Sequence, residues 1–345
     1  MSEPVVKGPL GIGTMHWGDS ALDLKVAGRV IDEATLVRIR ERTREAGITF
    51  IDTAEGYGGG SSEARLGRLG FGTSGHVVAT KFLPTFWRWT ANAVVRSQKA
   101  SNRRLGVEAC DLSFIHSPVH LRSPAVWIRG AARAIRAGHL KTLGVSNFDA
   151  AQVRSAAAVA RQERIPLVAN QLMFSLLVYR SEALQQTVKT CRDLGLTVVG
   201  YGDLGQGLLT DGLTPERFAS NRLARRVGLT MEQLAPLREA IHACAVRHRK
   251  TMSQVCLQWA ISKGVVPLVG TRSLEQLEHS LGALDFTLDA DETARLDAAA
   301  LDYSTFNRPF GRRLVFLVFI SLLMLAFKWS RAFSPQVTRS RPNSP

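Results

Sequence analysis

Eight short apolar segments, rich in β-branched residues, recur along this 345-residue chain, and longer stretches with helical spacing of their hydrophobic residues separate them. The segments are LGIGT (10–14), TFIDT (49–53), VVATK (77–81), LSFIH (112–116), TLGVS (142–146), LVANQ (167–171), TVVGY (197–201) and VPLVG (266–270). This alternation is the pattern of a parallel sheet with crossover helices, which bury both faces of each strand. Eight such units indicate an α/β fold closed as a (β/α)8 TIM barrel. The rival is an open doubly wound sheet, which wants a glycine-rich turn after its first strand. GPLGIGTMHWG matches that fingerprint poorly.

Helices are predicted over Glu33–Ala46, Ala91–Leu105, Ala125–Ala137, Ala150–Arg161 and Ser181–Leu194, several ending at a glycine, and a last one over Asp289–Leu301. The interval before the eighth segment is about twice the usual one. Its insert, Gly202–Ser253, is predicted to be a long loop plus an added helix, and long loops on this side of a barrel are usually functional. The barrel is expected to occupy residues 1–310.

Residues 311–345 read as a separate element, a basic-flanked hydrophobic tail helix. Leu314–Phe327 carries no charge, but a 14-residue helix rises only about 21 Å against a hydrocarbon core of roughly 30 Å. Snorkelling by Arg312, Arg313 and Lys328 would extend it, so membrane contact through this tail is an expectation. These cations, with Arg331, Arg339 and Arg341, account for six of the chain's +15 net charge. A basic chain attracts phosphate-bearing partners in general. No zinc-finger spacing or basic run interleaved with aromatics is present, so nucleic acid is not the expected partner. Cys110, Cys191, Cys244 and Cys256 form no CxxC pair, which argues against a disulfide scaffold or a metal site and suits the cytoplasm or another reducing compartment. The N-terminus lacks the charged and apolar regions of a signal peptide.

A barrel assembles its active site at the C-terminal ends of its strands. Asp52, Lys81 and His116 end the second, third and fourth segments, and Tyr57 follows Asp52 in the next loop. Any one alone has a bland reading as a loop charge or a core histidine. Four together on adjacent strands point to chemistry.

DTAEGYG (52–58), ATK (79–81), FIHSP (114–118) and GVSNF (144–148) resemble the aldo-keto reductases, over roughly residues 9–302. The resemblance implies an (α/β)8 barrel that binds NADP(H) without a Rossmann domain and reduces aldehydes or ketones by hydride transfer. It maps the family's catalytic tetrad onto Asp52, Tyr57, Lys81 and His116. Carbonyl reduction needs a proton for the developing alkoxide, and Tyr57 is the expected general acid. A phenol's ordinary pKa is about 10, and the Lys81 ammonium, held by Asp52, is expected to lower it. Neutral His116 would orient the carbonyl oxygen.

The same resemblance places the nicotinamide on Ser146, Asn147, Gln171 and Tyr201. The next loop, GDLGQGLLT (202–210), departs from the family's usual Ser-Pro-Leu: Gly202 and Asp203 replace the Ser-Pro pair. Its backbone, with Gly202, Leu204 and Gln206, is expected to cradle phosphate if the Asp203 side chain turns away. GTRSLEQLEHS (270–280) resembles the adenosine-binding turn. Gly270 belongs to this cofactor-binding turn, and Arg272, Ser273 and Gln276 would hold the 2′-phosphate, which favours NADP over NAD. His279 and Ser280 replace the residues that usually contact adenine. Phe86, Trp87, Trp89 and Trp17 follow strand ends, and Trp17 and Trp87 are expected to line the pocket for a small-molecule carbonyl substrate. No metal is expected. The alternative is an NADP(H)-binding sensor or docking module of potassium-channel β-subunit type, with little turnover.

Overall fold

A computed structural model describes residues 5–6, 8–20, 24, 28, 30–118 and 121–303. The strands are β1 (Gly11–Gly13), β2 (Phe50–Asp52), β3 (Val77–Phe82), β4 (Cys110–Ile115), β5 (Leu140–Ser146), β6 (Leu167–Met173), β7 (Thr197–Tyr201) and β8 (Val265–Gly270). All pair in parallel in chain order, and β1 pairs with β8 to close the barrel. Every segment expected from the sequence contains or overlaps one strand.

Side chains alternate across a strand, so one parity faces the barrel interior. Phe50, Ala79, Leu112, Phe114, Ala169 and Val199 form the inner cluster, against which Leu268 also packs. Two aromatic rings fit there because small residues face them. A Cβ on Gly144 would lie 2.4 Å from the Phe114 ring, and one on Gly11 would lie 2.5 Å from the Phe50 ring. Advancing two residues along each strand from Phe50, Ala79, Phe114, Gly144, Ala169, Val199 and Leu268 reaches Asp52, Lys81, His116, Ser146, Gln171, Tyr201 and Gly270. The polar strand ends thus continue the parity of the apolar plug, and this concentrates them at one mouth.

The helices are α1 (Glu33–Glu45), α2 (Ser61–Arg68), α3 (Asn92–Leu105), α4 (Ala125–Arg136), α5 (Ala150–Gln162), α6 (Glu182–Asp193), α7 (Pro215–Ser220), α8 (Arg222–Val227), α9 (Met231–His248), α10 (Met252–Ser262), α11 (Leu274–Leu281) and α12 (Ala290–Ala299). Those expected from periodicity begin and end within two residues of their observed limits. Their apolar faces and the outer faces of the strands form the larger core. The insert is richer than a loop plus one helix, since α7, α8 and α9 all lie in it. Each has its own N-cap: Thr214 bonds to Arg217 N–H, Asn221 to Leu223 and Ala224 N–H, and Thr230 shares a reciprocal capping box with Gln233. All four cysteines are free and buried.

The expected tail, 311–345, lies outside the described residues. Among the described residues, no helix is long and apolar enough to cross a membrane.

Candidate active site

β2 and β3 are adjacent, so Asp52 and Lys81 enter the mouth side by side. The Lys81 side chain is fully buried, and its ammonium has three acceptors. It donates to Asp52 Oδ2, to the carbonyl of Thr53 at 2.8 Å and to Tyr57 Oη at 3.3 Å. Gln171 Nε2 donates to Asp52 Oδ1 at 2.8 Å, so both carboxylate oxygens are satisfied. Tyr57 is brought over the pair by a tight turn in which its N–H bonds to the Ala54 carbonyl at 3.1 Å. Gly58, Gly59 and Gly60 then turn the chain into α2 with φ of 56°, 64° and 97°, values that side chains resist.

The buried pair is strongly coupled. Burial raises the Asp52 carboxyl against the charge of Lys81 and the hydrogen bonds from Lys81 and Gln171. Burial would lower Lys81, but Asp52 and Tyr57 hold its ammonium above the usual range. Tyr57 corrects the expectation of a lowered phenol. Burial raises it, Asp52's charge adds to that, and Lys81's charge and hydrogen bond recover only part of the shift. Exclusion of water outweighs the ammonium, and Tyr57 keeps its proton throughout the neutral range. His116 is lowered to about 3 by burial and by Lys81, so its imidazole is neutral at pH 7. Its ring centroid is 6.3 Å from that of Tyr57, and its Nδ1 is buried with no hydrogen-bond partner among the described residues.

Around the rim, Ser146 Oγ donates to the Gln171 carbonyl at 3.0 Å and accepts from Asn147 Nδ2 at 3.1 Å. Tyr201 Oη donates to Asn147 Oδ1 at 2.8 Å. The structure therefore joins Ser146, Asn147, Gln171 and Tyr201 in one network that ends on Asp52. Beside Tyr201 a cleft is lined by Gly202, Gly205 and Gln206 together with Leu223 and Val227 of α8. Gly202, Gly205, Gln206 and Gly207 all have positive φ, which turns this loop sharply, while Leu204 packs on the core. Asp203 turns away from the cleft. It is 4% exposed, and its Oδ1 lies where a Cβ on Gly200 would meet it at 3.1 Å.

At the end of β8, Gly270, Arg272, Ser273 and Gln276 share one turn. The Ser273 hydroxyl caps α11 by accepting from Gln276 N–H, and the Arg272 N–H donates to Gln276 Oε1 at 2.8 Å. His279 and Ser280 are engaged locally: His279 Nε2 lies 3.0 Å from Thr251 Oγ1, and the Ser280 hydroxyl donates to the Gln276 carbonyl at 2.9 Å. A dinucleotide suits this donor set. There are amides at one end, an aromatic face and a glycine-rich turn in the middle, and a guanidinium beside a helix N-terminus at the other end.

Trp17 is a correction. It is 1% exposed, packs at 5.5 Å on Phe71, and donates its indole N–H to the Thr271 carbonyl at 2.7 Å. It cements the β1 and β8 loops from within the core. Trp87 is half-buried on the loop after β3, edge-on to Phe86 at 4.8 Å. Sequence reasoning missed Glu55 and Arg88, which form an ion pair, buried at Glu55 and partly buried at Arg88, between this loop and the Tyr57 loop. The available signal was a second acid only three residues past Asp52 at a strand end, where a buried carboxylate requires a partner of its own.

A closed parallel barrel whose mouth holds a phenol, an ammonium, a carboxylate and a neutral imidazole, beside a cleft suited to a dinucleotide, has the layout of a barrel oxidoreductase without a separate nucleotide domain. The profile of the aldo/keto reductase family matches residues 9–301, and the chain belongs to that family of oxidoreductases. It is similar to the chloroplastic pyridoxal reductase of Arabidopsis thaliana, with 31% identity over 86% of this chain and 84% of that protein. It is also similar to an uncharacterised oxidoreductase of Mycobacterium tuberculosis, with 34% identity over 84% of this chain and 88% of the other. Among solved structures, the glycerol dehydrogenase of Gluconobacter oxydans shares the fold, with a TM-score of 0.70 and 23% identity over 85% of this chain and 91% of that one.

Proposed function

We propose that the protein reduces aldehydes or ketones to alcohols with NADPH, and that Tyr57 is the general acid. The observation that carries this reading is the contact of Lys81 Nζ with Tyr57 Oη at 3.3 Å, in a site where Asp52 fixes the ammonium. Bound NADPH would supply the hydride. The Tyr57 hydroxyl would give its proton to the oxygen as negative charge develops there, and Lys81 would stabilise the resulting phenolate. His116, being neutral, donates a hydrogen bond without competing as an acid. Ser146, Asn147 and Gln171 would orient the carboxamide, and Tyr201 would stack on the ring.

NADP is preferred over NAD in this reading because Arg272 stands at the start of α11. Arg272→Ala is therefore expected to raise the Kd for NADPH about tenfold or more, in line with one charge-assisted hydrogen bond, and to leave NADH nearly unchanged. Fluorescence titration with both cofactors measures this, and an equal loss for both would remove Arg272 from the phosphate site.

The likeness to a pyridoxal reductase and the Phe86–Trp87 pair beside the mouth make pyridoxal the first aldehyde to assay, alongside simple aromatic and aliphatic ones. NADPH consumption with equimolar alcohol formation is the expected result. Tight cofactor binding without turnover of any of them would instead support the sensor reading, which no feature of the described residues favours.

A further inference from the structure

Glu55 stands between Asp52 and Tyr57 but touches neither the ammonium nor the phenol. Its carboxylate is 8% exposed and fully engaged. Oε1 accepts from Leu83 N–H at 2.7 Å and from Arg88 Nη1, and Oε2 accepts from Arg88 Nη2 at 3.0 Å and from the Ser97 hydroxyl. Arg88 Nη1 also donates to the Leu83 carbonyl at 2.8 Å, and its guanidinium covers the Phe82 ring at 4.7 Å. The Glu55 N–H reaches the Lys81 carbonyl at 3.4 Å. One ion pair thus ties together the Tyr57 loop, the segment that leaves Lys81 for Phe86 and Trp87, and α3.

Stability alone is a poor reason for such a pair, since apolar residues of similar volume often serve as well or better in a buried setting. What a bidentate, fully satisfied pair provides is fixed geometry. Geometry matters here because the Tyr57–Lys81 contact, at 3.3 Å, lies at the long end of the hydrogen-bond range. A slip of the loop would break it, and misplacement of about 1 Å can cost 10²-fold in rate.

We propose that Glu55 and Arg88 are positioning residues that hold the Tyr57 hydroxyl in register with Lys81 and fix the Phe86–Trp87 loop beside it. The proposal rests on the reading of Tyr57 as proton donor. Both act through Tyr57.

The test uses the full chain with Glu55→Gln, Arg88→Met, the double variant and Arg88→Lys, which keeps the charge but not the fork. Single-turnover NADPH oxidation by pyridoxal is measured per NADPH-binding site. The tyrosinate absorbance that Tyr57→Phe removes is followed against pH. Glu55→Gln and Arg88→Met are each expected to slow hydride transfer 10- to 100-fold, with the double variant no worse than either. The Kd for NADPH should stay within about twofold, and the Tyr57 titration midpoint should rise as Lys81 is lost. Arg88→Lys should fall between, and it carries the comparison should Glu55→Gln not fold. An unchanged single-turnover rate and an unchanged Tyr57 midpoint, with only a lower Tm, would overturn the proposal. If the wild type reduces no aldehyde, the reductase reading falls, and the Tyr57 titration, which needs no turnover, still decides the clamp.

Discussion

Tyr57→Phe is expected to lower kcat by at least about 10²-fold while leaving the Kd for NADPH within about twofold. The substitution removes one oxygen, whose only hydrogen bond among the described residues is from Lys81 at 3.3 Å, so the ring and the turn that carries it have no reason to move. Because burial raises this phenol, the wild-type proton is present below its shifted value and lost only above it. Reduction should therefore hold through neutral pH and fall only beyond the ordinary phenol range, about pH 10. Steady-state kinetics from pH 6 to 11 checks both points. Turnover retained in the variant would assign the acid elsewhere, and a decline centred near pH 7 would contradict a raised phenol.

Asp203→Asn is expected to stabilise the protein by an amount that grows between pH 4 and 8. Burial pushes the Asp203 carboxyl up to about 8, and its Oδ1 has no partner among the described residues. An unfolded chain releases the same proton at about 3.9. Between those values the native state binds more protons than the unfolded state, so wild-type stability falls as pH rises, then levels off once both states are ionised. At 1.36 kcal/mol per unit, the accumulated loss is on the order of 5 kcal/mol. Asparagine has the same shape and does not titrate. Urea unfolding of both proteins at pH 4.5, 6 and 8 should show the gap opening with pH, and a constant gap would place the charge penalty elsewhere.

The fold was legible because its signals are local. Strand length, β-branching and the helical stretches between are properties of ten to twenty consecutive residues, and all eight strands followed from them. The strand-end rule then located Asp52, Lys81 and His116 before any contact was known. What was hidden depended on partners distant in the chain. Trp17 follows β1 just as Trp87 follows β3, but only Thr271, 254 residues away, decides that its indole turns into the core. The partnership of Glu55 with Arg88, 33 residues on, has the same character. The Tyr57 shift was misjudged for a different reason, since a sequence names the charged neighbour but not the water that the fold excludes. The short helices α7 and α8 offer too few turns for periodicity, and their caps, Thr214 and Asn221, were the signals that could have revealed them.

The four cysteine sulfurs occupy four different walls of the barrel: Cys110 in β4, Cys191 in α6, Cys244 in α9 and Cys256 in α10. Burial raises every one of these thiols, Cys110 to about 12 and Cys191 to about 11. Since the thiolate is the reactive form, alkylation of the folded chain must wait for the covering element to lift away. Each sulfur is then a stopwatch set into its own wall, and the labelling rate at each one reads how often that part of the barrel opens.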